Sequence, residues 1–323
     1  MNRRESNSAT TAPTLADIEA AAARIAGYVH RTPVLTSHRL DEWCTATLAF
    51  KCENLQKVGA FKARGASNAV LGLDDAAASR GVATHSSGNH GAALAMAAQR
   101  RGIPAHIVMP ANAPAVKKAA VESYGAFIIE CEPTLVAREE TLVRVVSETG
   151  AEVVHPYDDA RVIAGQGTVA LELLEQVPEL DVVVVPVGGG GLLAGVATAV
   201  KALKPSVEVV AAEPAGADDA FRSFGLGERQ PQTNPQTIAD GLRTSLGELN
   251  FPIIQRCVDT IVTVEEESIV KAMRLQWTRL KTVVEPSGAV SFAALLEHPE
   301  RFRDRRVGVV ISGGNVDLDH LPW

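Results

Sequence analysis

Aromatic residues are scarce in this chain, at 4% of 323 residues with three tyrosines and three tryptophans, too few for platforms that stack nucleic-acid bases. Excess positive charge is missing as well. A net charge of −7 and a pI near 5.7 leave no cationic face for nucleic acid or an anionic membrane, so any functional anion must be held by local geometry. The few cysteines, Cys44, Cys52, Cys131 and Cys257, form no CxxC pair and have no histidine partners at metal spacing. They read as free thiols in a reducing cytoplasm. No apolar run approaches the ~20 residues that a membrane helix needs. The opening MNRRESNSATTAPT has no apolar stretch of the signal-peptide kind, so residues 1–13 are expected to form a flexible tail and the protein to be cytoplasmic. What the chain does have is 46% hydrophobic and 21% charged residues, an ordinary globular balance. Its length suits about two domains at ~150 residues each.

Thr14 can cap a first helix, since Leu15, Ile18, Ala22 and Ile25 follow at helical spacing. Pro33 ends it, and Leu48–Cys52 reads as a short strand. β-Branched runs then alternate with alanine-rich amphipathic helices: Gly81–Thr84 with Gly91–Arg100, Ala105–Met109 with Pro114–Tyr124, and Ala126–Glu130 with Leu135–Glu148. Pro114 suits a first helical turn, where its missing N–H costs nothing. Further strands are expected at Val182–Val187, Val207–Ala212, Thr260–Val264 and Val307–Ile311, and a loop at Phe224–Ile238. The near-continuous hydrophobic runs DVVVVPV and VGVVIS suit parallel strands covered on both faces by crossover helices. The expected fold is α/β, with two open, twisted, mostly parallel sheets. Residues 81–157 would form a small domain, and 14–80 with 158–323 a large one.

Several stretches carry chemistry. In VPVGGGGLLAG, Gly188, Gly189, Gly190 and Gly191 follow a buried strand and open a helix, and successive N–H groups without Cβ atoms form a phosphate cradle. The spacing is neither GxGxxG nor the Walker pattern. SSGNHG, residues 86–91, sets small hydroxyls and an amide at a helix start, as a carboxylate pocket would. SGGNVD, residues 312–317, again follows a strand, and such loops converge at the C-terminal ends of strands in doubly wound folds. In GAFKARGAS, Lys62 has small or apolar neighbours that can desolvate its amine, as Schiff-base chemistry requires. Cradle, pocket and lysine together point to pyridoxal phosphate (PLP).

The chain resembles the fold-type II PLP enzymes, related in fold to the tryptophan synthase β subunit, and within them the serine racemase and serine/threonine dehydratase family, which includes threo-3-hydroxyaspartate ammonia-lyases. The likeness runs from about Ile18 to Asp317 and is most specific in FKARGA, THSSGNHG, AGQGT, VPVGGGGLLAG, AAEPAGADD, TIADGLR and SGGNVDL. It implies that Lys62 carries the cofactor, that Gly188–Gly191 with Leu192 hold its phosphate, and that Asn89 meets its 3′-oxygen. Phe61 and Gly241 would sandwich the ring, and Ser312 would meet the ring nitrogen. A neutral hydroxyl there makes a weaker electron sink than a charged nitrogen would be, which favours expulsion of a β-leaving group.

The implied reaction is β-elimination from a serine, threonine or 3-hydroxyaspartate type substrate to a 2-oxo acid and ammonia. Lys62 would take the Cα proton and Ser87 would act on the opposite face. A racemase using those two groups as opposite-face bases is the alternative, and a non-catalytic sensor has little need of a reactive amine. The substrate would sit on Ser86, Ser87, Asn89 and His90. Arg138, His155 and Thr244 would stand near its side chain, where two cationic or donor groups could take a second carboxylate. The resemblance also implies a divalent cation, Mg²⁺ or Ca²⁺, on Glu213, the Ala217 carbonyl and Asp219, an oxygen set suited to either. It implies a homodimer and closure of the small domain over the substrate. Ala92 stands where the vertebrate racemases have glutamine, which weakens an expectation of nucleotide activation.

Overall fold

The computed structural model describes residues 11–86 and 88–323; residues 1–10, most of the expected tail, lie outside it. Thr14 opens the first helix as expected. Its hydroxyl accepts the N–H of Asp17 and the Asp17 carboxylate accepts the N–H of Thr14, a capping box that starts Leu15–Ile25 and lets Ile18 and Ile25 bury.

Among the described residues ten strands follow in chain order: β1 (Val34–Leu35), β2 (Thr47–Cys52), β3 (Val82–His85), β4 (Ala105–Pro110), β5 (Phe127–Cys131), β6 (Glu152–Val153), β7 (Val182–Pro186), β8 (Glu208–Pro214), β9 (Thr260–Val264) and β10 (Arg306–Ile311). They form a six-stranded sheet ordered β1-β2-β10-β7-β8-β9 and a four-stranded sheet ordered β5-β4-β3-β6. Every pairing is parallel except β1 with β2. The expected α/β architecture of two mostly parallel sheets is therefore present. β7 is buried along its whole length, as a central strand covered on both faces must be. No helix of the described residues is long and apolar enough to cross a membrane.

Three local expectations differ from the structure. The first helix ends at Ile25, well before Pro33, and Gly27 follows in the left-handed conformation at φ 78°. Pro114 stands just before its helix, with ψ 137°, and the helix runs Ala115–Glu122. The ring still costs no hydrogen bond there, because the residue before a first turn has no intrahelical N–H partner. The loop expected from Phe224 begins only at Gly227. Phe224 and Leu226 belong to the helix Asp219–Leu226, which Gly227 ends in the left-handed conformation at φ 72°.

The helix that begins at Lys62, Lys62–Leu71, is fixed from two sides. On one side lies the helix Ala160–Gln176, whose Gly165 would place a Cβ 2.6 Å from the Gly65 Cα and 2.8 Å from the Arg64 carbonyl oxygen. Only glycine permits that approach. The helix Gly191–Leu203 packs just as closely, since a Cβ on Gly167 would lie 2.9 Å from the Gly195 carbonyl oxygen. On the other side a buried ion cluster forms around Arg64. Its guanidinium donates to Glu53 at 2.7 and 2.8 Å and to Glu172 at 2.7 and 2.9 Å, and the buried amine of Lys51 also meets Glu172 at 2.6 Å. Breaking such a cluster by removing one member costs ~3–5 kcal/mol, because the remaining charges stay buried and uncompensated.

Gly165→Val is expected to lose ~1–3 kcal/mol of stability by overpacking this helix contact. Denaturant titration of the purified protein measures the loss, and an unchanged midpoint would contradict the close-packing account.

Candidate active site

The ends of β2 and β10 are stitched together where the candidate lysine begins its helix. Ala60 bridges Gly313 in antiparallel fashion, Phe61 N donates to the Ser312 carbonyl at 3.0 Å, and Gly314 N donates to that of Gly59 at 2.9 Å. Phe61, Lys62 and Ser312, distant in sequence, are thereby neighbours, and Ser312 is buried. The Lys62 amine donates to the Pro156 carbonyl at 2.6 Å and lies 5.0 Å from the centre of the Phe61 ring. It has no carboxylate partner among the described residues, so burial pushes its pKa down from 10.5 to about 8.

The four glycines line the start of the helix Gly191–Leu203. All are buried, and the N–H groups of Gly188, Gly189, Gly190 and Gly191 meet no acceptor among the described residues. Buried N–H groups without partners are rare in folded proteins, so an oxyanion fits this cradle. A Cβ on Gly188 would lie 2.8 Å from the Leu242 Cα and 3.3 Å from the Gly241 carbonyl oxygen, which sets Gly241 beside the cradle. Leu192 is buried in the first helical turn. Tyr157 presses its ring against Gly189, and burial raises the pKa of its hydroxyl.

Asn89 is held by Asn315, of the SGGNVD stretch, and by Glu285, which no motif marks. Its Nδ2 donates to Glu285 Oε1 at 2.9 Å, and its Oδ1 accepts from Asn315 Nδ2 at 2.9 Å. The second Nδ2 hydrogen has no partner among the described residues. Burial raises Glu285 to about 8, helped by the charge of Asp240. In sequence Glu285 reads only as the residue before a proline-started helix, and nothing there signals its contact with Asn89.

The expected substrate residues are only partly gathered. Ser86 accepts the Gly91 N–H at 3.2 Å, so its oxygen is engaged in starting the helix Asn89–Arg101. Ser87 lies outside the described residues. His90 is buried with Nε2 3.1 Å from the Val154 carbonyl, and burial lowers its pKa to about 3, so it anchors the chain beside His155 as a neutral ring. His155 is neutral too. Its Nδ1 accepts from Asp158 N at 2.9 Å and from Tyr157 N at 3.4 Å, which leaves the proton on Nε2, and burial lowers its pKa to about 4. Of the two kinds of group expected here, cationic or donor, His155 thus presents a neutral donor. Arg138 makes no ion pair among the described residues; its Nε donates to the Thr134 carbonyl at 3.3 Å. No hydrogen bond joins Arg138 to His155. Both influence His85, whose ring lies edge-on to His155 with centres 6.2 Å apart and whose pKa the Arg138 charge helps to lower.

Behind the cradle, Glu213 accepts N–H bonds from Ala220 at 3.0 Å and Phe221 at 2.7 Å, and Asp219 Oδ2 accepts from Leu246 N at 2.8 Å. Asp219 Oδ1 is buried with no partner among the described residues. Burial and mutual repulsion raise Glu213 well above the usual carboxylate range, and burial raises Asp219 to about 6. No cluster of three or more His, Cys, Asp or Glu stands at metal distance among the described residues. A cation here would rest on two carboxylates, the Ala217 carbonyl and water. The unpaired oxygen and the raised carboxylate pKa values fit one.

Comparison with known proteins agrees with this geometry. Residues 25–313 match the family of pyridoxal-phosphate dependent enzymes, and the chain belongs to it. It is 53% identical to a beta-hydroxyaspartate dehydratase of Paracoccus denitrificans (strain Pd 1222), over 96% of this chain and 99% of that protein. Among solved structures it resembles maize serine racemase, with TM-score 0.94 and 50% identity over 95% of each chain. It also resembles the serine racemase of Dictyostelium discoideum, with TM-score 0.91 and 49% identity over 96% of this chain and 100% of that one.

Only a neutral amine attacks an aldehyde. Capture of pyridoxal phosphate by the cofactor-free protein is therefore expected to quicken from pH 6.5 and to level off just above pH 8, where Lys62 is deprotonated. Stopped-flow absorbance measures this, and levelling only near the lysine's ordinary pKa of 10.5 would contradict a desolvated amine.

Proposed function

We propose that the chain eliminates water from a small β-hydroxy amino acid, whose enamine product takes water back on hydrolysis to give a 2-oxo acid and ammonia, using pyridoxal phosphate carried by Lys62. The observation that carries this reading is the buried amine of Lys62, unpaired with any carboxylate among the described residues and stitched beside Ser312. Gly188–Gly191 would hold the cofactor phosphate, Asn89 its 3′-oxygen, and Phe61 and Gly241 its ring. Bound there, the cofactor draws electrons from the substrate α-carbon and makes its proton acidic. Lys62, neutral near pH 8, takes that proton as general base. The substrate carboxylate rests on the Ser86–His90 segment. The Ser312 hydroxyl, neutral at the ring nitrogen, favours loss of the β-hydroxyl as water. Closure of the segment 81–157 over the rest of the chain excludes solvent.

3-Hydroxyaspartate is the substrate that this donor set suits best. The Arg138 guanidinium and the His155 Nε2–H, with His85 between them, supply donors for a second carboxylate, and neither is consumed by an ion pair within the described residues. The dehydratase relative, named for beta-hydroxyaspartate, supports this. Racemisation is the second reading, supported by the likeness to maize serine racemase. It would need a base on the face opposite Lys62, the role given to Ser87. We further place the enzyme in the cytoplasm as a homodimer, and assign a Mg²⁺ or Ca²⁺ ion to Glu213, Ala217 and Asp219.

A coupled assay for ammonia and 2-oxo acid over L-serine, D-serine, L-threonine, phenylserine and the 3-hydroxyaspartate isomers tests the reaction. Ammonia release fastest from one 3-hydroxyaspartate isomer, with no build-up of its enantiomer, is expected. Enantiomer accumulation that outpaces ammonia would make the protein a racemase. Mg²⁺ or Ca²⁺ is expected to raise the melting temperature, because a cation offsets the burial of negative charge that raises the Glu213 and Asp219 pKa values. EDTA should reverse the rise, and an unchanged melting temperature would remove the cation from the account.

A further inference from the structure

The side chain of Asn250 is fully buried at the start of the helix Asn250–Cys257, and its Nδ2 donates twice, to the Gly189 carbonyl at 2.7 Å and to the Tyr157 carbonyl at 3.0 Å. Both neighbours can only accept, which fixes the amide with its nitrogen toward them. The cost is visible on the other side, since Asn250 Oδ1 is buried without a partner among the described residues. The Gly189 carbonyl receives a second donor, Gly247 N, at 3.0 Å. A trans peptide points its C=O and N–H in opposite directions. Two donors drawing the Gly189 oxygen backward therefore aim the Gly190 N–H forward into the cradle. That peptide lies between two glycines, and Gly190 has φ +92°, so no Cβ stops it from turning over. The other arm of Asn250 holds the carbonyl of Tyr157, next to Pro156, whose own carbonyl receives the Lys62 amine.

We infer that Asn250 is a positioning residue, which locks the Gly189–Gly190 peptide in the orientation that binds the cofactor phosphate and ties that loop to the segment facing Lys62. The inference rests on the reading of Gly188–Gly191 as the phosphate cradle. Asn250→Asp keeps the size of the side chain but replaces the donor with acceptor oxygens that repel both carbonyls. Asn250→Ala removes the donor without adding charge. The full chain and each variant, stripped of cofactor and checked by thermal melting, are titrated with pyridoxal phosphate and with pyridoxal, which lacks the phosphate.

The expected result is that each variant binds pyridoxal phosphate about tenfold or more weaker, about 1.4 kcal/mol per tenfold, while pyridoxal affinity changes little. The preference for the phosphorylated form then collapses. If the unaltered chain itself shows no such preference, the cradle reading falls and the inference with it. If the unaltered chain and the folded variants show the same preference, the cradle stands and the role of Asn250 is overturned. Loss of fold in both variants would assign Asn250 to folding alone and would also overturn it.

Discussion

The amine of Lys62 is kept where its charge is costly. It is given one carbonyl and one aromatic face, and no carboxylate among the described residues, and burial lowers its pKa to about 8. An ordinary lysine would relieve this strain by swinging toward water or an acid. Here the backbone on either side is immobilised by the antiparallel stitch to Ser312–Gly314, by the Gly65–Gly165 contact and by the buried cluster around Arg64. Much of the packing in this region serves that single constraint, because the free energy of desolvating one amine must be offset by contacts that hold its helix in place.

The cradle and the candidate cation site are two faces of one loop. Leu246 N is held by Asp219, and Gly247 N holds the Gly189 carbonyl. Leu246 also packs where a Cβ on Gly190 would stand, 2.7 Å from its Cδ1. Asp219 is thus linked through Leu246 and Gly247 to the glycines whose N–H groups would meet a phosphate.

Much of this was legible in the sequence, for identifiable reasons. Buried parallel strands announce themselves as unbroken hydrophobic runs, and four glycines bunched after a strand exceed what a tight strand-to-helix turn requires. Lys62 was readable because its neighbours are small and apolar. What stayed hidden depends on contacts between remote segments. Tyr157, Asn250 and Glu285 each carry an ordinary residue type in an ordinary setting, and their roles arise only when the ends of the strands come together. His155 was found, but its protonation was not. Burial lowers its pKa and two backbone N–H groups from the following turn fix its tautomer, and no pattern of residue types encodes either. The helix end at Gly227 was missed because a glycine-, glutamine- and proline-rich stretch masks the last turn of Asp219–Leu226.

The central claim is that one amine, Lys62, both carries the cofactor and moves the proton. Borohydride reduction of the cofactor-loaded protein fixes pyridoxal phosphate to whichever amine holds it, and peptide mass mapping then locates the modified residue. The account predicts the label on the peptide containing Lys62 and on no other lysine. A label at another lysine, or none on a protein that still releases ammonia, would contradict it.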